Sequence, residues 1–339
     1  MTTHRASVAS EPYRAATPDA PRHRTLKRDS CPNRAPGVCE TLPVNFLSHH
    51  EGRATRLREL LAGPRPLTAP GCYDALGARL IEEAGFDVVY MTGFGSSASL
   101  LGRADVGLLN QGEMADNLRR IVQATSLPVI ADADTGYGNQ MNVIRTVQLW
   151  EQAGAAGFHI EDQVTPKKCG HMDNKQVIPA TEAVGKIRAA VAARSNPDTV
   201  IIARTDARAV EGLDAAIERA KRFADAGADM LFVEALEGEP EIETVCERLR
   251  GYPLLFNWAE GGKTPPLTYE RIEELGFRLI ICPIATLLSA TAAMRDTLAS
   301  IRAAGTPATV VDRLMPFTGF TTLIGLPEIT ELEKRFAGD

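Results

Sequence analysis

The chain has 339 residues, with 37 basic and 43 acidic side chains and a net charge of −6. Apolar residues make up 44% of it and aromatic residues 6%, so a disordered chain and a basic nucleic-acid binder are both excluded as default readings. No apolar run approaches the length of a membrane span. Six cysteines with no CxxC pair are too sparse for a disulfide scaffold, so a reducing, cytoplasmic setting is the expectation. The length admits two ordinary domains, or one α/β barrel of about 250 residues with extensions.

Residues 1–50 differ from the rest. They hold six of the 21 prolines, seven basic and four acidic residues, a net of +3. No helical or strand period runs through them, and the prolines would break any long helix. The composition predicts a disordered basic tail on a barrel domain of residues 51–339. An organellar transit peptide is the competing reading, opposed by Glu11, Asp19, Asp29 and the prolines.

After residue 60 a unit repeats: a short apolar run, a turn bearing Gly or Asp, then an amphipathic stretch. The runs are Pro66–Ala69, Asp87–Met91, Pro128–Ala131, Gly157–Ile160, Thr199–Ala203, Asp229–Val233, Pro253–Phe256 and Arg278–Cys282. Helical stretches between them include Ala75–Ala84, Met141–Ala153, Ala180–Ala193 and Leu213–Ala226. Several end in Ala-Gly, which suits a helix C-terminus. Eight strand–helix units predict a parallel sheet closed into a (β/α)8 TIM barrel. The absence of Gly-x-Gly-x-x-Gly after the first strand disfavours a dinucleotide-binding sheet. A helical C-terminal extension is predicted at Ile284–Ala304, Ala308–Leu314 and Pro327–Phe336.

In such a barrel, polar residues at the C-terminal strand ends point to catalysis. Here those ends read Thr92-Gly93, Asp132-Ala133-Asp134, Glu161-Asp162-Gln163, Arg204-Thr205-Asp206, Glu234 and Asn257. Crowded acids repel one another and call for a compensating cation. Asp132 and Asp134, two apart, would face one side of a strand. With Glu161 they form an oxygen-rich site of a kind that suits Mg2+ or Mn2+, unless an aspartate merely caps the next turn. Arg204 can grip a carboxylate with paired hydrogen bonds, or form a buried ion pair with Asp206 or Glu234. The polar loop 162–179 has the length of a functional lid. Within it Cys169 follows Lys167 and Lys168, with His171 near, and such neighbours favour a thiolate, unless it is one more inert cysteine.

The segments Tyr90–Gly95, Asp132–Gly138, Glu161–His171, Ala203–Ala207 and Asn257–Pro265 resemble the isocitrate lyase / phosphoenolpyruvate mutase superfamily, over roughly residues 55–339. Lys-Lys-Cys-Gly-His at 167–171 marks the lyase branch. The resemblance implies Mg2+ as cofactor, with Mn2+ as a substitute, and a homotetramer that swaps its last barrel helix. It implies Asp132 as direct metal ligand, with Asp134, Asp105 and Glu161 bridged through water. Thr92, Gly93 and Phe94 occupy a substrate-carboxylate loop in which the bulky Phe94 is a departure. Gly170, Arg204, Glu234 and Asn257 match substrate contacts. Cys169 matches the proton donor, with Lys167 and His171 as its catalytic neighbours. Leu288 and about Thr318 stand where tricarboxylate-cleaving members place arginines. The Glu260–Pro265 stretch resembles the dimethylmalate lyase and petal-death-protein group. The expected reaction is retro-aldol cleavage of a 2-hydroxy di- or tricarboxylate to a 2-oxo acid such as pyruvate plus a carboxylate. A carboxyphosphonoenolpyruvate phosphonomutase is the alternative, and a non-catalytic scaffold a remote third. The expected partner is a small carboxylate, with neither nucleic acid nor membrane.

Overall fold

A computed structural model describes residues 46–47 and 51–337; the predicted basic tail otherwise lies outside the described residues. Eight strands form one parallel sheet: β1 Leu67–Cys72, β2 Val89–Met91, β3 Val129–Asp132, β4 Gly157–Glu161, β5 Val200–Thr205, β6 Met230–Val233, β7 Leu255–Asn257 and β8 Leu279–Cys282. Their order is β6-β5-β4-β3-β2-β1-β8-β7, and a parallel bridge between Leu231 and Leu254 joins the two ends. Leu231 N–H donates to Pro253 O at 2.9 Å across that seam. The sheet is therefore a nearly closed (β/α)8 barrel, as the repeating unit predicts.

Both faces of each strand are covered, which is why the strands read as continuous apolar runs and not as alternating ones. In β5, Ile201 and Ala203 join the layer under the surrounding helices, whereas Val200 and Ile202 fill the barrel interior. That interior also holds Ala69, Tyr90, Ile130, Met230, Phe232, Leu255, Leu279 and Ile281. Helix α1 (Arg53–Leu61) closes its N-terminal mouth, with Ala54 and Leu57 packed into the same cluster.

Eight helices and one short turn of helix lie between the strands. They are α2 (Ala75–Glu83), α3 (Gly93–Leu101), α4 (Gln111–Gln123), α5 (Gln140–Ala153), α6 (Ala180–Ala193), α7 (Arg208–Glu211), α8 (Leu213–Asp225), α9 (Glu239–Arg248) and α10 (Tyr269–Glu274). The pair α3–α4 was not among the helices placed by the sequence pattern. Asn110 starts α4 with a capping box: its Oδ1 accepts from Gly112 and Glu113 N–H, and Glu113 Oε2 accepts from Asn110 N–H at 2.8 Å. Met114, Leu118, Ile121 and Val122 then bury one face at helical spacing. Helix α5 ends at Gly154, whose φ of 92° and approach to Val122 leave no room for a side chain.

After β8 the chain continues as α11 (Ala285–Ala304), a 3-10 helix (Pro307–Arg313), α12 (Phe317–Leu323) and α13 (Leu326–Phe336). Helix α11 buries no residue in the single chain, and Leu288, Met294 and Leu298 are exposed on it. No helix among the described residues is long and apolar enough to cross a membrane.

Candidate active site

Parallel register sets the height of each side chain at the rim. Asp132 pairs with His159 across β3–β4, and Glu161 pairs with Arg204 across β4–β5. A cavity of about 230 Å3 opens there, lined among others by Tyr90, Thr92, Phe94, Asp105, Asp132, Lys167, Cys169, Gly170, His171, Arg204, Glu234 and Asn257. The predicted site residues are thus brought together. Asp134 and Glu161 lie buried behind its wall.

Asp134 does not reach the site by strand alternation, because β3 ends at Asp132. The chain turns instead: Asp134 has φ 46° and its N–H donates to Asp132 Oδ1 at 2.9 Å. Oδ1 is thereby engaged inward, and Oδ2 faces Gly93, where a Cβ would collide with it. Lys167 Nζ lies 2.7 Å from Asp105 Oδ2 and 2.7 Å from Asp134 Oδ1. Burial, then Asp132 and Asp105, push the Asp134 carboxyl up to about 6 despite that ammonium. Glu161 is pushed well above the usual carboxylate range by burial, and neither of its oxygens accepts a hydrogen bond.

Arg204 forms the buried ion pairs that are one of its two expected roles. Its Nε meets Asp206 at 2.9 Å and Glu161 at 3.2 Å, its Nη1 meets Glu234 at 3.3 Å, and its plane lies 5.2 Å from the Phe232 ring. Lys175 Nζ, also buried, meets Asp206 at 2.8 Å and donates to Gly170 O. Glu234 accepts from Asn257 Nδ2 at 3.2 Å, and His171 Nε2 lies 3.3 Å from it. Burial alone would raise the Glu234 carboxyl, yet Arg204 holds it below its ordinary range. Lys263 N–H donates to His171 Nδ1 at 3.0 Å, which leaves the hydrogen of a neutral ring on Nε2, toward Glu234. Gly170 packs so closely on Arg204 and Glu234 that a Cβ would lie 2.5 Å from each.

Six carboxylates (Asp105, Asp132, Asp134, Glu161, Asp206, Glu234) are buried around the cavity, against the cations of Lys167, Lys175 and Arg204. Were all six ionised, three negative charges would lack a cation; burial instead raises the Asp134 and Glu161 carboxyls, and a positive ion joining them would favour their ionised forms. Among the described residues no three His, Cys, Asp or Glu side chains converge into a ready-made cage.

The thiolate expected of Cys169 is disfavoured: burial, with Asp105 and Glu234 adding to it, pushes its thiol up to about 11. The lysines beside it in sequence point elsewhere, Lys167 to the aspartates and Lys168 Nζ to Asn174 O. The thiol is held protonated, which suits a proton donor.

Helix α3 begins at the cavity. Thr92 caps it, its Oγ1 accepting from Gly95 N–H at 3.2 Å and its carbonyl from Ser96 N–H. The Gly93 and Phe94 N–H groups remain as first-turn donors, an arrangement that favours a carboxylate. Sequence reasoning missed His159. It is fully buried on β4 with Nε2 2.9 Å from the Tyr90 hydroxyl and Nδ1 3.6 Å from Asp132 Oδ1, so the acidic site does have a histidine beside it. Its place two residues before Glu161, on the same strand face, was the available signal.

The sequence profile of the family described as phosphoenolpyruvate phosphomutase matches residues 57–302. The chain is similar to 2,3-dimethylmalate lyase of Eubacterium barkeri, with 48% identity over 284 residues, 84% of this chain and 98% of that one. It is also similar to the chloroplastic carboxyvinyl-carboxyphosphonate phosphorylmutase of Arabidopsis thaliana, 42% identical over 84% of each chain. Among solved structures, oxaloacetate acetylhydrolase bound to 3,3-difluorooxalacetate superposes with a TM-score of 0.80 at 37% identity, covering 88% of this chain and 99% of that one. With named lyases at 43% to 48% identity over most of its length, the chain belongs to the phosphoenolpyruvate phosphomutase family and is a carbon–carbon lyase of its isocitrate lyase-like branch.

Proposed function

We propose that this lyase cleaves a substituted malate or a related short 2-hydroxy dicarboxylate to pyruvate or another short 2-oxo acid and a carboxylate. The observation that carries this reading is the cation inventory of the cavity. Arg204 is its one guanidinium among the described residues, and Lys167 is committed to Asp105 and Asp134. A third substrate carboxylate would be buried without a partner, at a cost of several kcal/mol. Leu288 is exposed and does not line the cavity.

Arg204 and the first turn of α3 would hold the 2-oxo acid portion of the substrate. The C–C bond breaks as the hydroxyl hydrogen passes to an acceptor on the wall, and the electron pair leaves with the other carboxylate fragment. Cys169 then gives its thiol proton to the new carbanionic carbon, and after release the proton taken up by the wall acceptor returns to the thiolate through water, which restores both groups. His171, fixed through Lys263 N–H, keeps Glu234 in place, and Glu234 in turn orients Arg204. Lys167 holds Asp105 and Asp134 together beneath the site.

The excess of buried acid, and the two unbonded oxygens of Glu161, fit a hard divalent cation such as Mg2+, with Mn2+ able to replace it. Asp132 Oδ2 would touch it, and Asp134, Asp105 and Glu161 would act through water, since Mg2+ keeps several waters. When bound, the ion supplies positive charge to the substrate oxygen that becomes the carbonyl. The exposed apolar side chains of α11 to α13, among them Leu298, Phe317 and Phe336, support assembly into a homotetramer through these helices.

The test is a substrate panel with Mg2+: 2,3-dimethylmalate, 2-methylmalate, 2-methylisocitrate, isocitrate and oxaloacetate, with 2-oxo acid release followed by a coupled dehydrogenase. Turnover of an alkylmalate well above the tricarboxylates is the expected result, and turnover of tricarboxylates alone would overturn it. Phosphorus NMR with the phosphonate substrate addresses the mutase alternative, for which C–P bond formation would be decisive.

A further inference from the structure

Two loops border the cavity and touch one another at its edge. One is the lid, residues 162–179, which carries Cys169. The other runs from β7 to α10, and its residues 259–262 line the same cavity as residues 169–172 of the lid. Three contacts join them. Lys263 N–H donates to His171 Nδ1 at 3.0 Å, and Lys263 Nζ lies 2.6 Å from Asp173 Oδ1. At Gly262 the loops come so close that a Cβ would stand 2.7 Å from His171 Nδ1. The backbone of Gly262 is not left-handed, so close approach, first of all by His171, is what that position demands. The second loop is braced in turn: Glu260 accepts from Ile284 N–H at 3.1 Å and from Ala285 N–H at 3.0 Å, at the start of α11.

The lid is fastened unevenly. On either side of its tip, buried ammonium–carboxylate pairs tie it to the barrel, Lys167 to Asp105 and Asp134, and Lys175 to Asp206. The tip is different. Asp173 is exposed, and Lys263 is its one ion-pair partner among the described residues. We propose that Gly262 and Lys263 are the catch of the lid, positioning residues that hold residues 171–173 down and so keep Cys169 over the cavity. A solvent-exposed ion pair, one hydrogen bond and one packing contact hold weakly enough to release in each turnover, whereas the buried pairs stay made. The importance of Cys169 rests on the function proposed above; the catch itself does not.

The experiment follows lid opening in the full chain with Mg2+ and without substrate. Alkylation of Cys169 by iodoacetamide is timed by peptide mass spectrometry, and hydrogen exchange is followed on the lid peptide. Lys263→Asp keeps the backbone N–H but sets like charges against each other, and Cys169 should react about threefold faster or more. Adding Asp173→Lys restores an attractive pair and should bring the rate back to within about twofold of the parent. Salt should speed alkylation of the parent and slow that of Lys263→Asp, because it screens attraction in one and repulsion in the other. Gly262→Ala wedges the loops apart and should speed it by about tenfold. Exchange of the lid peptide should rise in step, with β5 and α8 unchanged. Unchanged rates in both Lys263→Asp and Gly262→Ala, an acceleration that Asp173→Lys does not reverse, or exchange that rises throughout the barrel would overturn the assignment. Should Gly262→Ala not fold, the charge pair alone decides, since both of its side chains reach solvent. Absence of turnover on every dicarboxylate would strike the proposed function and not the catch, because no substrate enters these measurements.

Discussion

The state of Cys169 can be read directly from its reactivity with pH. A cysteine with the ordinary value of 9.0 is half thiolate at pH 9, whereas one pushed up to about 11 is only about 1% thiolate there. The acid form is the useful one, and it is lost only as pH rises through the raised value. Alkylation needs the thiolate, so iodoacetamide should modify Cys169 in the metal-free protein about fiftyfold more slowly at pH 9 than an ordinary cysteine. Its rate should still be climbing at pH 10. Peptide mass spectrometry after timed quenching separates Cys169 from the other five cysteines. A rate that levels off by about pH 9.5 would refute the argument that burial among carboxylates keeps this thiol protonated. Its catalytic counterpart is Cys169→Ser. A hydroxyl is a far weaker acid, so kcat should fall by about 10²–10⁴-fold, equivalent to about 3–5 kcal/mol of barrier, with little change in thermal stability. Near-normal turnover in that variant would remove Cys169 from the reaction.

Other perturbations reach different parts of the site. Gly93→Ala drives a methyl group into Asp132 Oδ2, and the displaced carboxylate should cost about 100-fold in kcat/KM while circular dichroism stays unchanged. Lys167→Met leaves Asp105 and Asp134 buried without their shared cation, and urea unfolding should show a loss of about 3–5 kcal/mol; a neutral result would mean that the two aspartates are not both charged. Chelation of divalent metal should stop turnover, and adding Mn2+ back to 100 times its Kd should restore about 2.7 kcal/mol of stability; a melting temperature indifferent to Mn2+ would refute the reading of the surplus acids.

The strands were legible because a barrel strand is covered on both faces. Val200-Ile201-Ile202-Ala203 announces itself as an apolar run whichever way its residues point. The rim followed from the strands, since the residue at a strand end inherits its height from the register. Arg204 and Glu161 were found that way and stand side by side. Helices α3 and α4 were harder, because they replace a single connection with two elements and α3 is rich in glycine and serine. Asp134 was assigned to the right place by the wrong geometry: strand alternation stops at Asp132, and a left-handed turn with its own hydrogen bond completes the approach.

What the sequence hid was charge state, because a charge is set by neighbours in space. Lys167 and Lys168 adjoin Cys169 in the chain, yet one ammonium is drawn 2.7 Å from two aspartates and the other to a backbone carbonyl. Burial comes first in setting the thiol, and the acids that add to it come from elsewhere: Asp105 after α3, and Glu234 at the end of β6. His159 shows the same rule, since Tyr90 and Asp132 beside it belong to β2 and β3, and only its place two residues before Glu161 hints in the sequence at a polar setting. The two cases lead to one physical conclusion. Burial keeps the thiol protonated, and carboxylates that stand apart in a list of strand ends add to it once they are gathered around it. The same buried acids would be relieved by a divalent cation, so the raised carboxyls of Asp134 and Glu161 and the proposed metal site rest on one arrangement of acids.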